Sequence, residues 1–206
     1  MKTYSLLLGL FFSCSVLAHP HAFIDMQTTP IIENNQLTGL SMKWTLDEPS
    51  SSAVIYDMKQ AKTKNDQQKL IDDVMGNVVN EHYFSYLYNA QNNKIKYSSH
   101  PKNYGVKIQG LQLQYYFDVP LAHSQQLEKN TFSLQTYDPT YYVAMTYASK
   151  SAVDFSALPK NCQGKLIEPN VDEKIQAYAS SLDKSQKNED DSLGVMFAQK
   201  IIIQCE

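Results

Sequence analysis

The sequence predicts an α+β fold, a single domain with a mostly antiparallel sheet and a few helices. Three observations predict it. Apolar and polar residues alternate with period two early in the chain and again in its middle, notably from Gln109 to Asp118. Between these stretches lies a polar segment with apolar residues near helical spacing, including Leu70, Val74 and Val78. The order of strands, helix, strands, helix and strand is not the regular strand–helix alternation of a parallel α/β sheet.

The elements follow in order. Lys2 and the apolar residues 4–12 resemble a secretory signal, since about nine residues fall far short of the roughly 20 that span a bilayer. Val16-Leu17-Ala18 supplies a cleavage site. Residues 1–18 are therefore expected to be a signal peptide, and residues 19–206 an exported periplasmic domain without stable membrane insertion. A lipidated Cys14 is the competing possibility. Residues 21–32 and 37–46 are expected to be strands joined by the turn Glu33-Asn34-Asn35-Gln36, whose asparagines tolerate left-handed backbone. Residues 53–62 and 66–89 are expected to be helical, with a break at Gly76. Residues 94–97, 104–119 and 131–147 read as strands, with Asp138-Pro139 a turn signal. Residues 172–182 read as a helix capped by Asn170. Residues 184–192 are charged and poor in apolar side chains, as a loop is. Ile201-Ile202-Ile203 reads as a buried strand running into Cys205.

Composition excludes some functions. Without Lys2, 17 basic residues face 21 acidic ones, a net charge near −4. That balance argues against nucleic acid as a partner and is compatible with cations. Cys162 and Cys205 remain after cleavage, and an even count in an exported chain reads as a disulfide. Closing a loop of about 42 residues contributes roughly 3–4.5 kcal/mol in the chain-entropy model. There is no P-loop, GxSxG, HExxH or dinucleotide fingerprint, so no enzymatic activity is expected.

The chemistry-bearing residues gather at the start of the processed chain. Cleavage after Ala18 leaves His19-Pro20-His21 first, which puts a free amine and two imidazoles at one chain end. If the hairpin turn centres on Asn34-Asn35, His21 faces Glu48 and Asp25 faces Trp44; a one-residue slip brings Asp47 opposite His21 instead. Two imidazoles, an amine and one or two carboxylates fit zinc, nickel, cobalt or copper. Pro20 lacks an N–H, which rules out the amino-terminal copper/nickel site built on deprotonated backbone amides. Asp138, in the unusual Tyr137-Asp138-Pro139-Thr140-Tyr141-Tyr142 segment, is a further candidate carboxylate, although a turn with core aromatics is the reading that segment favours.

A set of ordered motifs carries a family resemblance. These are His19-Pro20-His21-Ala22-Phe23-Ile24-Asp25, Trp44-Thr45-Leu46-Asp47-Glu48, the Tyr137 to Val143 segment, and Cys162 with the stretch from Phe197 to Cys205. Together they resemble a family of small, uncharacterised bacterial periplasmic components of transport systems. The resemblance implies an inner-membrane permease of the nickel/cobalt type as partner and zinc uptake as the context. Pro49-Ser50-Ser51 departs from the family pattern, which continues with an aromatic after Asp47-Glu48. The expectation is a periplasmic component that binds a divalent transition metal, zinc first, and delivers it to a permease. Its metal residues would be His19, His21, Asp47, Glu48 and Asp138. The alternatives are a copper oxidase with a histidine brace and a metal-free interaction domain.

Overall fold

A computed structural model describes residues 20–182 and 192–206. The expected signal peptide, His19 and most of the expected charged loop lie outside the described residues. The fold is α+β, as the sequence predicts, but with two sheets. In chain order the elements begin with β1 (Ala22–Glu33), β2 (Gln36–Leu46), α1 (Glu48–Gln60) and α2 (Lys64–Asn80). They continue through β3 (Ser85–Tyr88), β4 (Lys94–Ile95), β5 (Lys102–Gln109), β6 (Gln112–Gln126), β7 (Thr131–Thr136) and β8 (Val143–Thr146). They end with β9 (Cys162–Ile167), α3 (Glu173–Ser181), α4 (Leu193–Phe197) and β10 (Lys200–Cys205). The first sheet has the order β5-β6-β2-β1-β8 and the second β4-β3-β7-β10-β9. The neighbouring strands pair antiparallel, except β8, which runs parallel to β1. One core cluster joins Met26, Met42, Trp44 and Phe117 of the first sheet to Leu87, Phe132, Leu134 and Ile201 of the second, and α2 adds Ile71, Met75 and Val78.

The β1–β2 hairpin turns where expected, with Asn34 and Asn35 at φ 49° and 61°. This is the primed geometry that matches strand twist. The register beyond it differs from both expected versions. Glu33 pairs with Gln36 and Ile32 with Leu37, but Ile31 pairs with Gly39. Thr38 is thus an extra residue, and its hydroxyl donates to the Ile31 carbonyl at 3.3 Å. The bulge moves every later pair by one, so Asp25 faces Thr45 and Met26 faces Trp44. The buried positions of β2 accordingly switch parity, from Leu37 and Gly39 to Leu40, Met42 and Trp44.

The helical segment ends earlier than its composition predicts. Thr63 and Asp66 form a reciprocal capping box, and α2 runs through Gly76 without a break because Ile71, Met75 and Val78 hold one face in the core. After Asn80 the chain makes a left-handed turn, with His82, Tyr83 and Phe84 at φ 52°, 57° and 49°. Such backbone costs about 1–2 kcal/mol per non-glycine residue. The surroundings hold it: Tyr83 is 1% exposed and its hydroxyl donates to the Ser98 carbonyl at 2.7 Å, while the Phe84 N–H donates to Glu81 O at 2.9 Å. The residues that follow alternate in burial and pair with β7 as β3.

Gly110, at φ 63°, divides the run 104–119 into the β5–β6 hairpin. Residues 131–147 are likewise two strands, and the chain crosses from the second sheet to the first through residues 137–142. The cap of α3 is Asp172, not Asn170: its Oδ1 accepts from the N–H groups of Lys174 and Ile175, both at 2.9 Å. Cys162 and Cys205 are directly opposite on β9 and β10 and are joined by a disulfide.

Candidate functional site

Three chain segments meet at one end of the first sheet: the start of β1, the end of β2, and the crossing 137–142. The His21 N–H donates to the Tyr142 carbonyl at 2.9 Å, which begins the parallel pairing of β1 with β8. The half-buried His21 ring lies 4.7 Å from the Tyr142 ring, centroid to centroid. His21, Phe23 and Asp25 alternate with Ile24 and Met26, as expected from the strand period, and Met26 enters the core.

The bulge decides which acid lies beside this strand. Phe23, not His21, stands opposite Asp47: the Asp47 N–H donates to Phe23 O at 3.0 Å, and the Phe23 N–H donates to Asp47 Oδ2 at 2.9 Å. Asp47 is also the N-cap of α1, its Oδ1 accepting from the Ser50 N–H at 2.8 Å. Partial burial works against its charge, but the hydrogen bonds from Ser50 and Phe23 outweigh that and hold its carboxyl below the usual range. Glu48 begins the helix and is exposed, its carboxylate favoured by the helix N-terminus.

Asp138 organises the crossing. Its Oδ1 accepts from the Thr140 N–H at 3.0 Å and the Thr140 hydroxyl at 2.9 Å, and its Oδ2 from the Val143 N–H at 3.0 Å. Three tyrosines pin the crossing to separate elements. Tyr137 stacks on Tyr86 of β3 at 4.5 Å, Tyr141 stacks on Phe197 of α4 at 4.0 Å, and Tyr142 meets His21. Burial pushes the Tyr137 hydroxyl up to about 12, with Tyr86 and Tyr88 adding to the shift. The Gly194 N–H donates to Pro139 O at 2.9 Å, and a Cβ on Gly194 would overlap the Asp138 carbonyl. No side chain larger than hydrogen fits there.

The expected metal residues thus divide. His21, Asp47, Glu48 and Asp138 come to one end of the first sheet, whereas His19 lies outside the described residues. Among the described residues no group of three or more His, Cys, Asp or Glu side chains is placed to hold a metal ion. Asp47 and Asp138 spend carboxylate oxygens on backbone N–H groups, which leaves Glu48 as the exposed acid beside the strand start. No helix among the described residues is long and apolar enough to cross a membrane.

Sequence reasoning did not mark the cleft on the other side of β1, about 480 Å³, which Trp44, Glu81 and Phe84 help to line. The period-two pattern of Ser85-Tyr86-Leu87-Tyr88 was the available signal that the helix had ended before Phe84.

A chain built as two sheets over one core, with the start of β1 pinned beside a helix-capping acid, has relatives in sequence. The chain belongs to the family described as "Protein of unknown function (DUF1007)", whose sequence model matches residues 4–205. It is 90% identical over 206 residues to an "Uncharacterized protein" of Haemophilus influenzae (strain ATCC 51907 / DSM 11121 / KW20 / Rd), with 100% of each chain covered.

Proposed function

We propose that this protein is an exported, periplasmic carrier of a divalent transition metal, zinc first, that delivers its cargo to an inner-membrane permease of the nickel/cobalt type. The finer resemblance, to the zinc-uptake protein ZevA, belongs to this reading. One observation carries it: His21 is held by backbone pairing at the sheet end where the processed chain would begin, beside the Asp47-Glu48 pair. His19 is two residues away, within about 7 Å of reach. His19 and His21 supply imidazole nitrogens, the amine a third nitrogen and Glu48 an oxygen, a donor set that suits zinc. Asp47 and Asp138 hold the frame, one by capping α1 and clasping β1, the other by ordering the crossing that carries Tyr142. A site with few ligands at a chain end binds with moderate affinity, which a donor to a permease requires if it is to release its cargo.

The test is a titration of protein processed to begin at His19, with zinc, nickel, cobalt and copper in turn. One ion per chain is expected, with affinity falling as pH drops below about 6, where the imidazoles protonate. His19→Ala and His21→Ala should each weaken binding by more than the roughly 10- to 100-fold that loss of an outer-shell partner costs. A residue added ahead of His19 displaces the amine and should weaken it as well. If the double histidine variant binds as tightly as the parent, the reading is wrong. Copper-dependent consumption of peroxide would favour the oxidase instead.

A further inference from the structure

The inner side of β1 faces the 480 Å³ cleft, a volume in the range of small-molecule sites. Trp44 and Phe84 form an aromatic corner, their rings 6.3 Å apart and inclined at 63°. Tyr142 closes one side, and Ile24 and Met145 add aliphatic and thioether surface. Among the described residues, the charged ones in the lining are Glu81 and Asp138, and none is basic. Asp138 is occupied with Thr140 and Val143, which leaves Glu81 as the other acidic residue of the lining.

The backbone that places this wall is not relaxed. Glu81 precedes the left-handed turn and Phe84 ends it, and both line the cleft. Strained backbone persists only where surrounding structure over-determines it, and it collects at ligand sites. Here the Ser85 hydroxyl donates to Tyr83 O at 2.8 Å, and the Tyr137 N–H donates to Phe84 O at 2.9 Å, which ties the turn to the crossing on the far side of the cleft.

We infer that this cleft binds a small organic cation, an ammonium or amidinium group carried on an apolar body. Aromatic faces attract such a cation, and the Glu81 carboxylate with the residual charge of Asp138 adds to the attraction. The apolar body fills the space against Ile24 and Met145. The inference is separable from the metal reading: the cleft shares Asp138 and Tyr142 with that end of the sheet but is lined by neither His21 nor Glu48.

Trp44 is the single tryptophan of the chain, so its fluorescence reports on this wall and the core behind it. The full processed chain is titrated with cyclohexylammonium chloride, in the presence of a chelator and at constant ionic strength. Sodium cyclohexanecarboxylate, of similar size and opposite charge, is the control. The expected result is a saturable change in Trp44 emission with the ammonium and none with the carboxylate. Glu81→Gln should weaken the response by about tenfold or more, and Phe84→Leu should weaken it while keeping the wall apolar; circular dichroism verifies that both variants are folded. An absent or non-saturable response, an equal response to the carboxylate, or full affinity in folded Glu81→Gln each overturns the inference. Because the chelator removes metal, none of these outcomes bears on the metal site.

Discussion

Replacing Asp47 by alanine removes two structural contacts in one step. The Ser50 N–H loses its acceptor at the start of α1, and N-cap loss costs about 1 kcal/mol. The Phe23 N–H loses a charged acceptor at 2.9 Å, which is worth about 1.5 kcal/mol at the low end for such bonds. Water reaches both groups in part, so the sum should come to about 2 kcal/mol. For a domain of this size that corresponds to a fall in Tm of roughly 4–8 °C. Urea unfolding at neutral pH measures it. Asp47→Asn keeps a capping oxygen and should cost less, about 1 kcal/mol. The pH dependence separates charge from shape. Because the folded carboxyl titrates below its ordinary value of 3.8, its stabilisation is fully present above the unfolded pKa. It is lost as pH falls through the folded pKa, and the gap between parent and Asp47→Asn should close in that acid window. An alanine variant as stable as the parent at pH 7, or a gap to Asp47→Asn that does not narrow in acid, would refute the reasoning. If the folded Asp47→Asn protein loses most of its metal affinity, Asp47 is a ligand rather than a frame residue.

Three further outcomes are expected. Cys205→Ser opens the β9–β10 bridge and should lower unfolding stability by about 3 kcal/mol while leaving metal affinity unchanged. Gly194→Ala forces a methyl group into the Asp138 carbonyl and should cost about 1–3 kcal/mol by denaturant unfolding, with weaker metal binding as the crossing moves away from His21. Gln199→Leu strips the Tyr147 backbone of its partners, the N–H that donates to Gln199 Oε1 at 2.6 Å and the carbonyl that accepts from Nε2 at 3.0 Å. Leaving two buried backbone groups unpaired should cost about 2–4 kcal/mol, and a variant within about 0.5 kcal/mol of the parent would contradict that account.

Much of the fold is written in local pattern. The alternation of β1 and β2, the paired asparagines between them and the Asp138-Pro139 turn are short-range signals, and each is present in the structure. The pairing of Cys162 with Cys205 is the one expected if an exported chain loses Cys14 with its leader, and the disulfide is present. The candidate site was legible as far as its neighbourhood: His21, Asp47, Glu48 and Asp138 do come to one end of a sheet. Which acid stands opposite which strand residue was not legible. One bulged residue, Thr38, changes every later pair, and nothing local to Thr38 distinguishes it from an ordinary strand position. The left-handed turn after Asn80 was hidden for a related reason. Tyr83 and Phe84 have no intrinsic preference for that backbone; the buried Tyr83, its bond to Ser98 and the pairing of β3 with β7 impose it. The role of Asp47 depended on the same kind of information. The residue types of Asp47 and Asp138 are those of a ligand, a cap or a turn alike; Asp138 is committed by N–H groups of its own turn, and Asp47 by Ser50 of the helix it caps together with Phe23, which only the pairing of β1 with β2 brings to it.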